Sequence, residues 1–381
     1  MQAQGFPAET LSAWLAPESE ALLKALDAMA ENVVGAMKLP LCLLPGLCIN
    51  GRRHAIPVVT EEPSVVAGAN RAAKLFNTCG GIVAEGHRNV TSAQLHYIIH
   101  QELADPCAHW MMQHKSQWLA LANDADPCLL AAGGGAFDLS FDIYPPSEHD
   151  PCRETFLVLR LDVATVSAMG ANAVNTMAEA LKRGLTPALQ AAFSQDTDNI
   201  TAGMAIVTNA APQRITRARI RLPFQHLKHT TQIDPAELSR RIELASAFAS
   251  RVPDRAVTHN KGIMNGVVAV GLALGQDTRA IEASASHHAN ASGHHRPLSQ
   301  WLCQDESLIG TLEMPIVAGT VGGTRKKHPG VDAAFAIAQI DDYDTLCAIL
   351  AGIGLAQNFA ALSALTTDGI QAGHMRLHQR K

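Results

Sequence analysis

The chain predicts an α+β protein, in which a large, mostly helical domain is interrupted by a smaller domain of mixed strands and helices. Three observations carry this expectation. Apolar residues recur at helical spacing over 9–37, and 346–367 contains no charge at all, so long helices lie toward both ends of the sequence. Between 89 and 208, strand-like runs alternate with helical stretches. The 381 residues are 47% hydrophobic and 17% charged, which supplies apolar material for sizeable cores and excludes a disordered chain.

Taken in order, Leu11, Leu15, Leu22, Leu23, Leu26, Met29, Val33 and Val34 mark the first helical stretch, and Pro40, Pro45 and Gly46 break it. A strand-like segment near 56–60 leads into Glu61. The stretch 64–76, rich in alanine and other small residues, reads as a helix. Gly80-Gly81 begins the change of character. Within the inserted region, 156–163 reads as a strand, 173–181 as a helix stopped near Gly184, and 203–208 as another strand. Asp-Pro-Cys occurs at 105–107, 126–128 and 150–152. In each triplet Asp suits a helix N-cap and Pro the first helical position, but the unequal spacings do not make a repeat. The uncharged 346–367 is long enough to span a bilayer, yet it carries Gly352, Gly354, Gln357, Asn358 and Ser363. A buried helix, with small residues where another backbone packs closely, is the expected reading, and no membrane span is expected.

A net charge of −5 and a pI of about 6.4 give no general attraction to nucleic acid, and 4% aromatics leave little for base stacking. The eight cysteines form no C-x-x-C pair and the N-terminus does not resemble a signal peptide, so reduced thiols and a cytoplasmic location are expected. The His287-His288 and His294-His295 pairs match no established zinc spacing. They read as a surface or loop cluster, and no metal is expected.

Four short stretches carry the chemistry. They are Glu61-Glu62-Pro63-Ser64-Val65-Val66-Ala67-Gly68, Thr258-His259-Asn260-Lys261-Gly262-Ile263-Met264-Asn265-Gly266, Gly275-Gln276-Asp277-Thr278-Arg279 and Gly369-Ile370-Gln371-Ala372-Gly373-His374-Met375. Each sets an ionisable side chain beside glycine or another small residue, and together they form a proton-handling set. Taken singly, each has a plainer reading: Lys261 a snorkelling surface lysine, Asp277 a helix cap, His374 one of 17 histidines. No G-x-G-x-x-G follows a strand, so a Rossmann domain is not indicated. In its place Ser167-Ala168-Met169-Gly170-Ala171-Asn172 runs into the helix 173–181, with small residues that let a pyrophosphate approach backbone N–H groups.

Together these stretches resemble 3-hydroxy-3-methylglutaryl-coenzyme A (HMG-CoA) reductase of the bacterial, soluble class II type, from about Glu31 to His374. The resemblance implies a large substrate domain of 1–88 and 209–372 and a small, antiparallel, non-Rossmann cofactor domain of 89–208, with 373–381 beginning a C-terminal flap. It implies that HMG-CoA and mevalonate plus coenzyme A are interconverted by two hydride transfers. Glu62 would be the general acid, Lys261 the oxyanion cation, Asp277 a carboxylate between the two, and His374 the acid for the departing thiolate. Ser64 would contact the substrate carboxylate, and Arg255, Asn265 and Asn209 match substrate-pocket positions. Met169, Gly170, Ala171 and Asn172 match the dinucleotide turn, which in the family usually begins with an acidic residue where Ser167 stands. Asp126 matches a position that meets the adenosine ribose in NAD-using relatives. A carboxylate there, with no Lys or Arg within 122–135, favours NAD over NADP. A homodimer or a higher oligomer of dimers is implied. Another acyl-CoA or aldehyde oxidoreductase, and a catalytically impaired binding protein of the same fold, remain as alternatives.

Overall fold

A computed structural model describes residues 20–86, 88–227 and 233–367. They divide into two compact units, one within Met1–Gly86 and Thr216–Lys381, the other within His87–Ile215.

The first unit begins with α1 (Glu20–Asp27), β1 (Leu41–Ile49), β2 (Arg52–Val59), α2 (Val65–Thr78) and β3 (Val83–Gly86). The second contains β4 (Val90–Ile99), α3 (Gln101–Gln113), α4 (Lys115–Asp124), α5 (Pro127–Ala131), β5 (Gly135–Tyr144), β6 (Thr155–Ala164), α6 (Ala171–Ala192) and β7 (Ile200–Val207). The chain then returns through β8 (Ile215–Pro223), α7 (Phe224–Leu227), α8 (Pro235–Arg251), α9 (Pro253–Ala273), α10 (Thr278–Ala289), β9 (Ser299–Gln304), β10 (Ser307–Pro315), α11 (Pro329–Ala338) and α12 (Tyr343–Thr366).

In the first unit β1 and β2 form a hairpin, and a four-stranded sheet runs β3-β8-β10-β9. Period-two alternation turns Ala218, Ile220 and Leu222 of β8 inward and Arg217, Arg219 and Arg221 outward. The uncharged helix foreseen at 346–367 is α12. It is long and apolar enough to cross a membrane, but 83% of its most apolar stretch is buried within this unit. Ile263 and Val267 of α9 pack against its Gly354, where a larger residue would push the two helices apart.

The second unit is an antiparallel sheet in the order β5-β6-β4-β7 with helices packed on it. Leu157, Leu159 and Leu161 alternate inward along β6 and join Met177, Leu181 and Leu185 of α6 in one core. Burial of each such side chain stabilises the fold by about 2 kcal/mol. The architecture is the α+β, non-Rossmann fold that the sequence predicts.

Several local expectations need correction. Of the helical stretch 9–37, residues 9–19 lie outside the described residues, and the described part is helical only over Glu20–Asp27. Asn32 takes a left-handed φ of 57°, and no regular element follows before β1. Pro45 and Gly46 do not merely end a pattern. They lie inside β1, where the register shifts between Leu44 and Leu47 and so spares the proline a ladder bond. The helix expected to stop near Gly184 runs on to Ala192 as α6, through Gly184 and Pro187. At Gly184 a Cβ would collide with Leu121 of α4, so the glycine serves helix packing rather than termination. Of the three Asp-Pro-Cys units, only Asp126 is an N-cap followed by proline at the helix start, and it accepts from Leu129 N at 2.9 Å. Pro106 lies inside α3, and Asp150 closes a local turn onto Cys152 N.

Candidate active site

Three helices of the first unit wall a cavity of about 480 Å³. The start of α2 supplies Glu62 and Ser64, α9 supplies Arg255, His259, Lys261 and Asn265, and the 357–365 stretch of α12 supplies a mostly apolar wall. Ser64 enters α2 with φ 76°, a left-handed conformation that is strained for a residue with a side chain and recurs at functional sites. On α9, residues 255, 258, 262 and 265 share one face by helical spacing, so a single stripe reaches the cavity.

Lys261 Nζ lies 3.0 Å from Glu62 Oε2 and 3.3 Å from Oε1, and Asn265 Nδ2 reaches the same Oε1 at 3.4 Å. The side chains are 62% and 37% exposed, so solvent screens the pair and its worth to stability is about 0–1 kcal/mol. Arg255 sits deeper. Burial lowers its pKa, and among the described residues no carboxylate pairs with it. A partly desolvated guanidinium without a counterion suits an anionic occupant. Among the described residues, Ser64 Oγ, His259 Nδ1, Gln357 Oε1 and Ser363 Oγ are buried without hydrogen-bond partners, and all four residues line this cavity. Buried polar groups are nearly always satisfied, so this concentration of unmet capacity marks a place for a polar ligand.

Five of the sequence-predicted residues, Glu62, Ser64, Arg255, Lys261 and Asn265, therefore meet in one cavity. Asp277 does not join them within this chain. It caps α10, accepting from Ala280 N at 3.1 Å, with Arg279 3.7 Å away. The backbone N of the preceding Gln276 bonds to Gly271 O near the end of α9, about 15 Å along the helix axis from Lys261. The local cap reading of Asp277 holds, and the expected position between Glu62 and Lys261 is not reached inside one chain. His374 lies outside the described residues.

Asn209, Asp126 and the Met169–Asn172 turn belong to the second unit. Asn209 is exposed in the loop after β7. Gly170 precedes α6 with φ 94°, and a Cβ there would collide with Thr165. The 22-residue α6 has no side-chain cap at its N-terminus, which leaves first-turn N–H groups for an anion. The turn is held from beneath. Asn89 donates to Val166 O and Ala168 O, while Arg214 donates to Met169 O at 2.9 Å and to Thr91 Oγ1 at 3.0 Å.

Sequence reasoning missed Arg214, His259 and Gln357. Arg214 is 1% exposed, yet it sits in a polar Pro-Gln-Arg loop where nothing announces burial. A histidine directly before the Asn-Lys-Gly motif was a weak signal for His259. Gln357, a lone amide in an uncharged helix, was a signal read only as packing.

The hydroxymethylglutaryl-coenzyme A reductase family model matches residues 7–379. The 3-hydroxy-3-methylglutaryl-coenzyme A reductase of Archaeoglobus fulgidus is 37% identical over 94% of this chain and 77% of its own length. A probable reductase of the same name from Borreliella burgdorferi is 34% identical over 93% and 77%. The class II 3-hydroxy-3-methylglutaryl-CoA reductase of Streptococcus pneumoniae, solved bound to NADPH in open conformations, superposes with a TM-score of 0.83 at 36% identity. It covers 96% of this chain and 95% of its own.

Proposed function

Because the chain belongs to the hydroxymethylglutaryl-coenzyme A reductase family, in its class II branch, we propose that it interconverts HMG-CoA and mevalonate plus coenzyme A. The observation that carries this reading is the Glu62–Lys261 contact in a cavity that also holds Arg255, which has no carboxylate partner among the described residues.

A nicotinamide cofactor, when bound, supplies two hydrides in succession. The uncapped start of α6 behind Gly170 fits its phosphates. The chain's own residues handle charge and protons. Arg255 and Ser64 hold the free carboxylate of the acyl group. Lys261 stabilises the oxyanion that forms as the thioester carbonyl is reduced. Collapse of that hemithioacetal breaks the C–S bond and gives an aldehyde, and His374 protonates the leaving thiolate. In the second reduction Glu62, protonated, gives its proton to the aldehyde oxygen, with Asn265 orienting the carboxyl.

Asp277 acts, on this reading, in trans. In a two-fold dimer Asp277 of the partner subunit would approach Lys261 and cover an ammonium that one chain leaves 62% exposed. The preferred cofactor is NAD(H). Asp126 offers a carboxylate to a ribose 2′-hydroxyl, and no Lys or Arg lies within 122–135 to receive a 2′-phosphate. NADPH is what the Streptococcus pneumoniae relative is described with.

The test is cofactor oxidation with HMG-CoA and with mevaldehyde, and cofactor reduction with mevalonate plus coenzyme A. His374→Gln should slow the thioester step far more than mevaldehyde reduction. No turnover of any of these substrates by the folded protein defeats the reading.

A further inference from the structure

His259 lies one helical turn beyond Arg255 on α9, is 2% exposed and lines the same cavity. Its protonation pattern follows from its neighbours. Trp301 Nε1 donates only, and it lies 2.7 Å from one end of the Asn358 amide, so that end is the oxygen. The other end is therefore the NH₂ group, which lies 3.0 Å from His259 Nε2 and donates to it. Nε2 is thus an acceptor for the Asn358 amide. Ser299 Oγ lies 2.6 Å from it and 2.9 Å from Asn358 Oδ1, and its single proton serves one of these two acceptors at a time. The neutral ring then carries its proton on Nδ1, which has no partner among the described residues. The ring stays neutral because burial, and then the positive charge of Arg255, lower its pKa to about 4.

A buried N–H with no acceptor is costly unless a ligand supplies one. Besides the Ser363 hydroxyl on α12, three donors with unmet capacity among the described residues line this cavity from α9 and the start of α2: the Arg255 guanidinium, the Ser64 hydroxyl and the His259 Nδ1–H. A carboxylate has about four lone-pair positions and can accept from all three. We propose that His259 is a further substrate-binding residue, a neutral donor whose Nδ1–H bonds the free carboxylate of the acyl substrate beside Arg255 and Ser64. This rests on the reductase reading for the identity of the carboxylate. A neutral donor completes the carboxylate's hydrogen bonds without adding a second cation against Arg255.

Two amide substitutions separate the ring nitrogens. His259→Gln keeps an acceptor near the Nε2 position and loses the Nδ1–H. His259→Asn keeps a donor near Nδ1 and loses the acceptor. In His259→Gln the KM for HMG-CoA should rise about ten- to a hundredfold, with the KM for the cofactor unchanged. The same variant should turn over the analogue lacking the carboxylate, 3-hydroxy-3-methylbutyryl-CoA, with wild-type kcat/KM. His259→Asn should hold its KM for HMG-CoA near the wild-type value. Equal losses on both thioesters, or an unchanged KM in His259→Gln, overturn the proposal. A measurement on the unmodified protein keeps it testable if the variants misfold. Free 3-hydroxy-3-methylglutarate should shift the His259 Nδ1 resonance of nitrogen-15-labelled protein, and no shift at saturation overturns the proposal. Such a shift in a protein that does not turn over HMG-CoA would defeat the reductase reading and leave the carboxylate contact standing.

Discussion

Lys261 Nζ stands 3.0 Å from Glu62 Oε2, joining residues that are 199 positions apart in the chain. The contact is too exposed to stabilise the fold much, so its value lies in the chemistry. Lys261→Ala should lower kcat by about a hundredfold or more while leaving the thermal midpoint within a few degrees. A folded variant with wild-type turnover would remove Lys261 from the mechanism.

If Asp277 serves the partner's site, defects at Lys261 and Asp277 should complement each other. Mixing Lys261→Ala and Asp277→Ala subunits would give hybrid dimers with one intact site of the two. With random pairing, roughly a quarter of wild-type activity should return. Mixtures as inactive as either parent would count against action in trans.

The protein should prefer NAD(H), and Asp126→Ala should reduce the preference. Asp126 also caps α5 through Leu129 N, so the same change should cost about 1 kcal/mol of stability. Equal kcat/KM for NADH and NADPH in the unmodified protein would remove the ribose role and leave the cap.

Arg214 supports the turn that enters α6 without facing a ligand itself. Arg214→Met should raise the KM for the cofactor several-fold, leave the KM for the thioester nearly unchanged and cost about 2–3 kcal/mol of stability. Arg214→Lys, which keeps a donor, should recover part of the cofactor affinity. A stability loss with no change in cofactor KM would make Arg214 purely structural.

His259 also sets an acid limit. Its pKa is 6.5 unfolded and about 4 folded, so the unfolded chain binds the extra proton between those values. Stability is then fully present above pH 6.5 and is lost as pH falls toward 4, by about 2 kcal/mol at pH 5. Denaturant midpoints from pH 7 to pH 5 should fall more steeply for the wild type than for His259→Gln. Parallel slopes would show that other groups dominate.

The sequence alone determined the α+β class, the mix of strands and helices in the second unit and the buried nature of α12. These depend on periodicity and composition, which survive without coordinates. It also determined which residue types carry the chemistry, because the motifs around Glu62 and Lys261 are contiguous. Helix ends were less legible. Gly184 reads as a stop locally, and only the neighbouring Leu121 shows that it is a packing notch. Tertiary structure alone decided which motifs meet. A helix axis of about 15 Å separates Lys261 from the Gly271 end of α9, beside which Asp277 is held, although the two residues are near in sequence. Glu62 and Lys261, distant in sequence, touch. Arg214 was invisible in the sequence, and His259 was signalled only weakly by its place before the Asn-Lys-Gly motif. What distinguishes them is burial among particular partners, a property of three-dimensional packing that residue order does not express.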